Sequence, residues 1–143
     1  MKIGLRHVGL IVNDAEKALK FYHDLLGFIP KADQIESDKF FQNLVGIKGA
    51  KARTIKCYSS FDNSCIELIE YIFPTAKNRI KNLNSKGFNH IALNVDNIDR
   101  CYSDLIEVGI KFLSKPTNNN SNSARVAFCV DFEGNYIELV QII

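Results

Sequence analysis

The chain has 143 residues, of which 46% are hydrophobic, and its 18 Lys and Arg residues against 16 Asp and Glu residues give a formal net charge of +2. This length allows one compact domain with a core, or two small fused modules, and the weak, well-mixed charge gives no sign of a nucleic-acid surface. No segment approaches the ~20 consecutive apolar residues that a membrane helix needs. The N-terminal residues carry no apolar signal-peptide core, so we expect a cytoplasmic protein.

The cysteine pattern excludes two common kinds of small domain. Cys57, Cys65, Cys101 and Cys129 are scattered along the chain without any C-x-x-C spacing. Neither a zinc ribbon nor a disulfide framework is therefore indicated, and we expect reduced, mostly buried thiols.

The predicted elements occur twice in the same order. In the first half, a strand over 5–12 precedes a helix that Asn13 or Asp14 can cap and that ends near Gly27, and three strands follow over 28–34, 52–58 and 64–72. A polar and basic linker is predicted over 73–86. In the second half, a strand over 89–95 precedes a helix between Asn97 and Gly109, and three strands follow over 110–114, 124–131 and 135–142.

Internal sequence similarity supports this duplication. The segment RHVGLIVND at the start of the chain matches NHIALNVDN from Asn89, ARTIKC (52–57) matches ARVAFC (124–129), and CIEL (65–68) matches YIEL (136–139). The first copy carries an insertion around SDKFFQNLVGIKG. The sequence therefore predicts an α+β fold made of two βαβββ modules, about 1–72 and 87–143.

Two histidines and two glutamates occupy equivalent positions of this repeat. Since strand side chains alternate between the two faces of a sheet, His7, Glu67, His90 and Glu138 are all predicted to lie opposite the helix-covered face. If the two sheets curl around one cleft, the four side chains converge there. Two imidazoles and two carboxylates suit a divalent transition metal, either as a closed tetrahedron or as an octahedron with two open positions.

Arginines at matched places in the third strands are candidate substrate-binding residues. When Val126, Phe128 and Val130 are taken as the helix-packed set of their strand, Arg125 faces the cleft and could hold a carboxylate or phosphate. Arg53 occupies the equivalent place, with a less clear alternation around it. An ordinary surface arginine is the alternative at both positions.

The chain resembles the vicinal oxygen chelate superfamily, whose members include glyoxalase I, methylmalonyl-CoA epimerase, extradiol dioxygenases and bleomycin-binding proteins. The segments that carry the resemblance are RHVGLIVNDAEKALKFYHDLLGF, CIELIEY, NHIALNVDNID and VDFEGNYIELVQ. The resemblance implies one domain over 1–143, with a curved mixed β-sheet around a central cleft, and places the metal ligands of the family on His7, Glu67, His90 and Glu138. This ligand set is most similar to that of glyoxalase I.

The resemblance implies a metal-dependent lyase or isomerase that moves a proton next to a carbonyl group. It implies one divalent ion per site, Ni, Zn or Co with Fe and Mn as alternatives, Glu138 as the base, and Glu67 as a ligand and second base. It further implies a small carbonyl or thioester substrate and a homodimer. The mixed charge and the lack of a long apolar segment lead us to expect no nucleic acid or membrane partner. An epimerase, an Fe(II) extradiol dioxygenase and a non-catalytic antibiotic-binding protein stay open as alternatives.

Overall fold

The computed structural model describes residues 1–75 and 82–143, and the chain divides into two compact units, Met1–Asn78 and Arg79–Ile143. Part of the predicted linker, residues 76–81, lies outside the described residues. The organisation of the whole chain as a single domain stays a prediction. The two units are described separately below.

The first unit is built on one mixed sheet of four strands. These strands are β1 (Val8–Val12), β2 (Ile29–Glu36), β3 (Lys51–Tyr58) and β4 (Cys65–Phe73). They lie in the order β1-β4-β3-β2, with β1 parallel to β4 and the other neighbours antiparallel. The first and last strands of the unit are therefore neighbours, which brings residues distant in sequence side by side.

The second unit repeats this arrangement. Its strands are β5 (His90–Asn94), β6 (Lys111–Phe112), β7 (Thr117–Asn118), β8 (Ala124–Val130) and β9 (Tyr136–Ile142). The order is β5-β9-β8-β6, β7 also pairs with β8, and β5 is parallel to β9. Again the first and last strands are neighbours. The short strand β7 is an addition to the predicted elements.

One helix follows the first strand of each unit. Helix α1 (Ala15–Leu19) continues into a π-helical segment, Lys20–Leu25, whose adjacent Phe21 and Tyr22 are both 0% exposed. The i→i+5 turns of a π-helix change the angular spacing of its side chains, which is consistent with two consecutive aromatic rings being buried. Helix α3 (Ile98–Glu107) packs on β8 and β9.

The predicted helix boundaries are confirmed by the hydrogen bonds at the ends. Asp14 Oδ1 accepts the Lys17 N–H at 3.0 Å, and Asn97 Oδ1 accepts the Arg100 N–H at 2.9 Å, as N-capping side chains do. Gly27 follows the first helical stretch with φ 75°. This left-handed conformation is easily reached only without a Cβ atom.

A further helix occupies the insertion of the first unit, where the sequence analysis assigned no element. Helix α2 (Lys39–Val45) starts after Asp38, whose Oδ1 accepts the Phe41 N–H at 2.8 Å, and ends at Gly46 with φ 69°. Phe41 packs into a small cluster with Ala50 and Ala52. The insertion is thus a capped helix with its own apolar contact.

The two sheets bury the residues that the alternation predicts. In β4, Ile66 and Leu68 are 3% and 0% exposed, and in β9, Ile137 and Leu139 are both 0% exposed. The predicted α+β class with mixed sheets is confirmed. Within the described residues, none of the helices has the length and apolar character needed to cross a membrane.

Candidate metal centre

In the first unit, His7 and Glu67 come together across the parallel pair β1 and β4. Gly9 is the register partner of Glu67, so His7, two residues earlier, lies on the same face. His7 Nε2 is 3.1 Å from Glu67 Oε2, and the two side chains are 32% and 14% exposed. A Cβ atom at Gly9 would lie 3.5 Å from Ile69 Cδ1, which is an ordinary van der Waals contact.

The second unit contains the equivalent pair. His90 begins β5, and Ala92 is the register partner of Glu138 in β9. His90 Nε2 is 3.4 Å from Glu138 Oε2, with side chains 39% and 23% exposed. The ring of Phe128 in β8 contacts His90 edge to face, with 5.2 Å between the ring centroids. Each unit therefore presents one nitrogen and one carboxylate ligand of the kind that transition metals bind.

The pairs lie on the face predicted from the alternation. Glu67 is partly exposed between the buried Ile66 and Leu68, and Glu138 is partly exposed between the buried Ile137 and Leu139. Within each unit, over the residues that the structure describes, no three His, Cys, Asp or Glu side chains form a group that could hold a metal ion. Binding of one ion by all four residues stays a prediction.

Both predicted substrate-binding arginines form ion pairs with acidic side chains. Arg53 Nη1 donates to Glu16 Oε1 of α1 at 2.6 Å, and Arg53 Nη2 donates to Asp33 Oδ2 of β2 at 2.7 Å. The side-chain hydrogen bond from Arg53 is the main cause that lowers the pKa of Asp33. Arg53 thus ties β3 to its helix and its neighbouring strand.

Arg125 makes the equivalent contact in the second unit. Arg125 Nη2 donates to Asp99 Oδ1 of α3 at 2.8 Å, and Arg125 Nη1 donates to Asn118 Oδ1 at 2.9 Å. Glu16 and Asp99 occupy equivalent places in the first turns of their helices. The two arginines therefore have the same kind of partner in both units.

The predicted facing of β8 is wrong. Ala127 and Cys129 are 2% and 0% exposed, and they share the face of Arg125, whereas Phe128 lies with His90 on the other face. Both faces of β8 are apolar, so hydrophobicity alone does not distinguish them. On the helix side, Arg125 pairs with Asp99 of α3. A substrate-binding role for Arg53 and Arg125 stays a prediction that these ion pairs do not support.

Lys56 is a charged residue near the site that was not predicted from the sequence. It is the register partner of Glu67 across β3 and β4, and its Nζ lies 3.6 Å from Glu67 Oε1. Its side chain is 32% exposed. The sequence signal was the repeat itself, because ARTIKC places Lys56 where ARVAFC places Phe128.

Comparison with protein families gives one match that covers nearly the whole chain. Residues 4–139 match the family model of the Glyoxalase/Bleomycin resistance protein/Dioxygenase superfamily. A lactoylglutathione lyase of Schizosaccharomyces pombe is 31% identical over 95% of this chain, which spans about half of that enzyme (46%). A probable lactoylglutathione lyase of Synechocystis is 30% identical over 96% of this chain and 94% of its own length.

Solved structures show the same fold. A glyoxalase family protein from Bacillus cereus is 19% identical, with a TM-score of 0.91 over 100% of this chain and 96% of its own. TnmS3, an antibiotic binding protein from Streptomyces, is 26% identical, with a TM-score of 0.67 over 100% of this chain and 99% of its own. Proteins with this fold therefore include at least one named for binding rather than for a reaction.

Proposed function

The chain belongs to the Glyoxalase/Bleomycin resistance protein/Dioxygenase superfamily, and we propose that it is a metal-dependent lyase or isomerase of the glyoxalase I type. The observation that carries the proposal is the duplicated contact of an imidazole Nε2 with a carboxylate oxygen, at 3.1 Å between His7 and Glu67 and at 3.4 Å between His90 and Glu138. The relatives named as lactoylglutathione lyases support the same reaction class.

The donor chemistry of the four residues fits a divalent transition metal. Neutral imidazole nitrogen and carboxylate oxygen are ligands of Zn, Ni and Co, and also of Fe and Mn. All four side chains are between 14% and 39% exposed, so an ion from solvent can reach them. One ion held by His7, Glu67, His90 and Glu138 would draw on both units, and this sharing is part of the proposal.

A bound divalent ion would act as a Lewis acid that polarises a substrate carbonyl and so makes the neighbouring C–H more acidic. In the proposed reaction, Glu138 accepts the proton from that carbon and returns it to the adjacent position. Glu138 has an apolar neighbour next to the His90 imidazole, because Phe128 is the register partner of Glu138 across β8 and β9. Glu67, which contacts both His7 and Lys56, would stay in place as a ligand and a second base.

Elemental analysis of the purified protein tests the shared metal site. We expect about one transition-metal ion per chain, lost in the His90→Ala/Glu138→Gln double variant and in His7→Ala, and kept in the exposed control Glu107→Gln. Two ions per chain, with each variant losing one, would contradict a shared ion. A wild-type protein that holds no metal after reconstitution would refute the metal-dependent reaction.

The identity of the metal and an activity assay then separate the enzyme classes. Ni, Co or Zn favours proton transfer, and the first activity to measure is turnover of lactoylglutathione, the compound in the names of the relatives. Iron together with oxygen consumption would support the dioxygenase alternative. An epimerase would exchange a substrate C–H with solvent deuterium and form only the stereoisomer of its substrate, with unchanged connectivity.

A small-molecule-binding protein is the second candidate, favoured by the likeness to the antibiotic binding protein TnmS3. This alternative requires that the chain binds its ligand without metal and that Glu138→Gln leaves the affinity unchanged.

A cytoplasmic location and a homodimer are further parts of the proposal. Size-exclusion chromatography with light scattering tests the homodimer, and a mass of one 16.2 kDa chain would contradict it.

A further inference from the structure

Lys56 gives the first unit a positive charge beside its candidate ligand pair. In antiparallel strands, register partners have side chains on the same face, so Lys56 lies on the face of Glu67 and His7. One oxygen of Glu67 is 3.1 Å from His7 Nε2, and the other is 3.6 Å from Lys56 Nζ. The carboxylate therefore lies between an imidazole and an ammonium group.

The second unit shows that such a pair does not need this charge. Phe128 is the register partner of Glu138, as Lys56 is of Glu67, and the His90–Glu138 contact forms beside an aromatic ring. The matched positions thus hold a cation in one unit and an apolar ring in the other. The contact between His7 and Glu67 therefore does not require Lys56, and support of that contact does not explain why a lysine occupies this position.

The ammonium group of Lys56 keeps capacity for another partner. Its distance of 3.6 Å from Glu67 Oε1 exceeds the ~2.7–2.9 Å of a charge-assisted hydrogen bond, and an ammonium group has three N–H donors. The arginines at 53 and 125 are instead held by short contacts to Asp33 and Asp99. Lys56 is therefore better suited than either arginine to bind an anion from outside.

A divalent ion on Glu67 would repel Lys56, since two cations would then share one carboxylate. An anionic group that contacts the ammonium offsets this repulsion. We propose that Lys56 binds the anionic group of the substrate, which is a small carbonyl compound with a carboxylate or phosphate group close to the carbonyl. This inference rests on the proposed function, and it names the substrate class of the same site.

Two probes that differ mainly in charge test the inference. Pyruvate is a small 2-oxo acid, and pyruvamide is its neutral amide, so their difference in affinity reports the contacts of the anion with Lys56 and with the metal together. Binding of each probe, and of inorganic phosphate, to the metal-loaded protein is measured by titration calorimetry. We expect wild-type protein to bind pyruvate or phosphate at least about tenfold more tightly than pyruvamide, which corresponds to about 1.4 kcal/mol.

Three variants show whether Lys56 causes the difference. Lys56→Met should weaken binding of the anion by about tenfold or more and leave pyruvamide binding unchanged, whereas Lys56→Arg keeps the charge and should keep the preference. Lys51→Met, which removes an exposed lysine of the same strand, is the matched control and should bind as wild type. Anion binding by Lys56→Met at wild-type strength, or no preference for either anion in the wild type, overturns the inference.

The metal content of the same preparations separates this inference from the proposed function. Lys56→Met should bind metal at least as tightly as wild type, because a repelling charge is gone, and this also shows that the variant is folded. If the wild type binds no metal, the proposed function fails, and the probes are titrated into the metal-free protein. Loss of the anion preference in Lys56→Met then still supports Lys56 as the anion site, and an unchanged preference refutes it.

Discussion

Removal of the ion pair between Arg125 and Asp99 should lower stability without lowering ligand affinity. Arg125 Nη2 and Nε donate to both carboxylate oxygens of Asp99 at 2.8–3.2 Å, and the side chains are 30% and 65% exposed. Partly exposed ion pairs contribute ~0.2–1 kcal/mol to stability, and a bidentate contact between arginine and carboxylate belongs in the upper half of that range. We therefore expect a coupling free energy of about 0.5–1 kcal/mol.

A double-mutant cycle measures this coupling. Urea unfolding of wild type, Arg125→Met, Asp99→Asn and the double variant gives the coupling as the deviation from additivity. The matched control is the cycle of Arg100 and Asp104, a helical pair at 3.7 Å whose side chains are 80% and 66% exposed. We expect the control coupling to be at most about 0.3–0.5 kcal/mol. Added salt should reduce both couplings through screening.

The result that refutes this reasoning is specific. A coupling no larger than that of Arg100 and Asp104, together with loss of probe binding in Arg125→Met, would show that Arg125 serves a ligand. The sequence-based prediction of a substrate-binding arginine would then stand. The proposal that Lys56, rather than Arg125, binds the anion would lose part of its support.

Three further outcomes follow from burial and capping. Leu139→Ala should lower the free energy of unfolding by about 2–5 kcal/mol, because the side chain is 0% exposed, and a loss below about 1 kcal/mol in urea unfolding would contradict its packing. Asp38→Ala should lower the free energy of unfolding by about 1 kcal/mol, and Asp38→Asn should lower it much less, since Asn can still cap α2. Equal losses in the two variants would exclude the capping role. Burial raises the pKa of Cys57 to about 11 and of Cys129 to about 12. Because these thiols ionise at lower pH in the unfolded chain, the free energy of unfolding should fall as pH rises above about 9. Iodoacetamide at about pH 9 should modify both thiols slowly in the native protein and quickly in urea, and equal rates would disprove their burial.

Local sequence signals predicted most of the secondary structure. The caps Asp14 and Asn97 and the glycines at 27 and 109 bound their helices as expected, because each acts through its own backbone and its nearest neighbours. The strands that carry Glu67 and Glu138 follow the predicted alternation, since one face of each is apolar and the other carries the charge.

Structure could not be predicted from the sequence where two interpretations had similar local support. In β8, apolar residues occupy both faces, and the contact from Arg125 to Asp99 that distinguishes them spans 26 residues. Helix α2 is only seven residues long, too short for a clear periodicity, although Asp38 and Gly46 already bounded it. The repeat shows that Lys56 differs from the equivalent Phe128, but its contact with Glu67 follows from strand register, which the sequence does not specify directly.

The parallel pairing of first and last strands has a consequence for how the protein is made. His7 and Glu67 are neighbours only after β4 has docked on β1, and His90 and Glu138 only after β9 has docked on β5. Each pair therefore depends on a contact of high sequence separation, which forms late because a long loop must close first. On the ribosome, the first pair can assemble while the second module is still being synthesised. If one ion is shared by all four ligands as proposed, a nascent chain would capture it only after β9 has docked on β5.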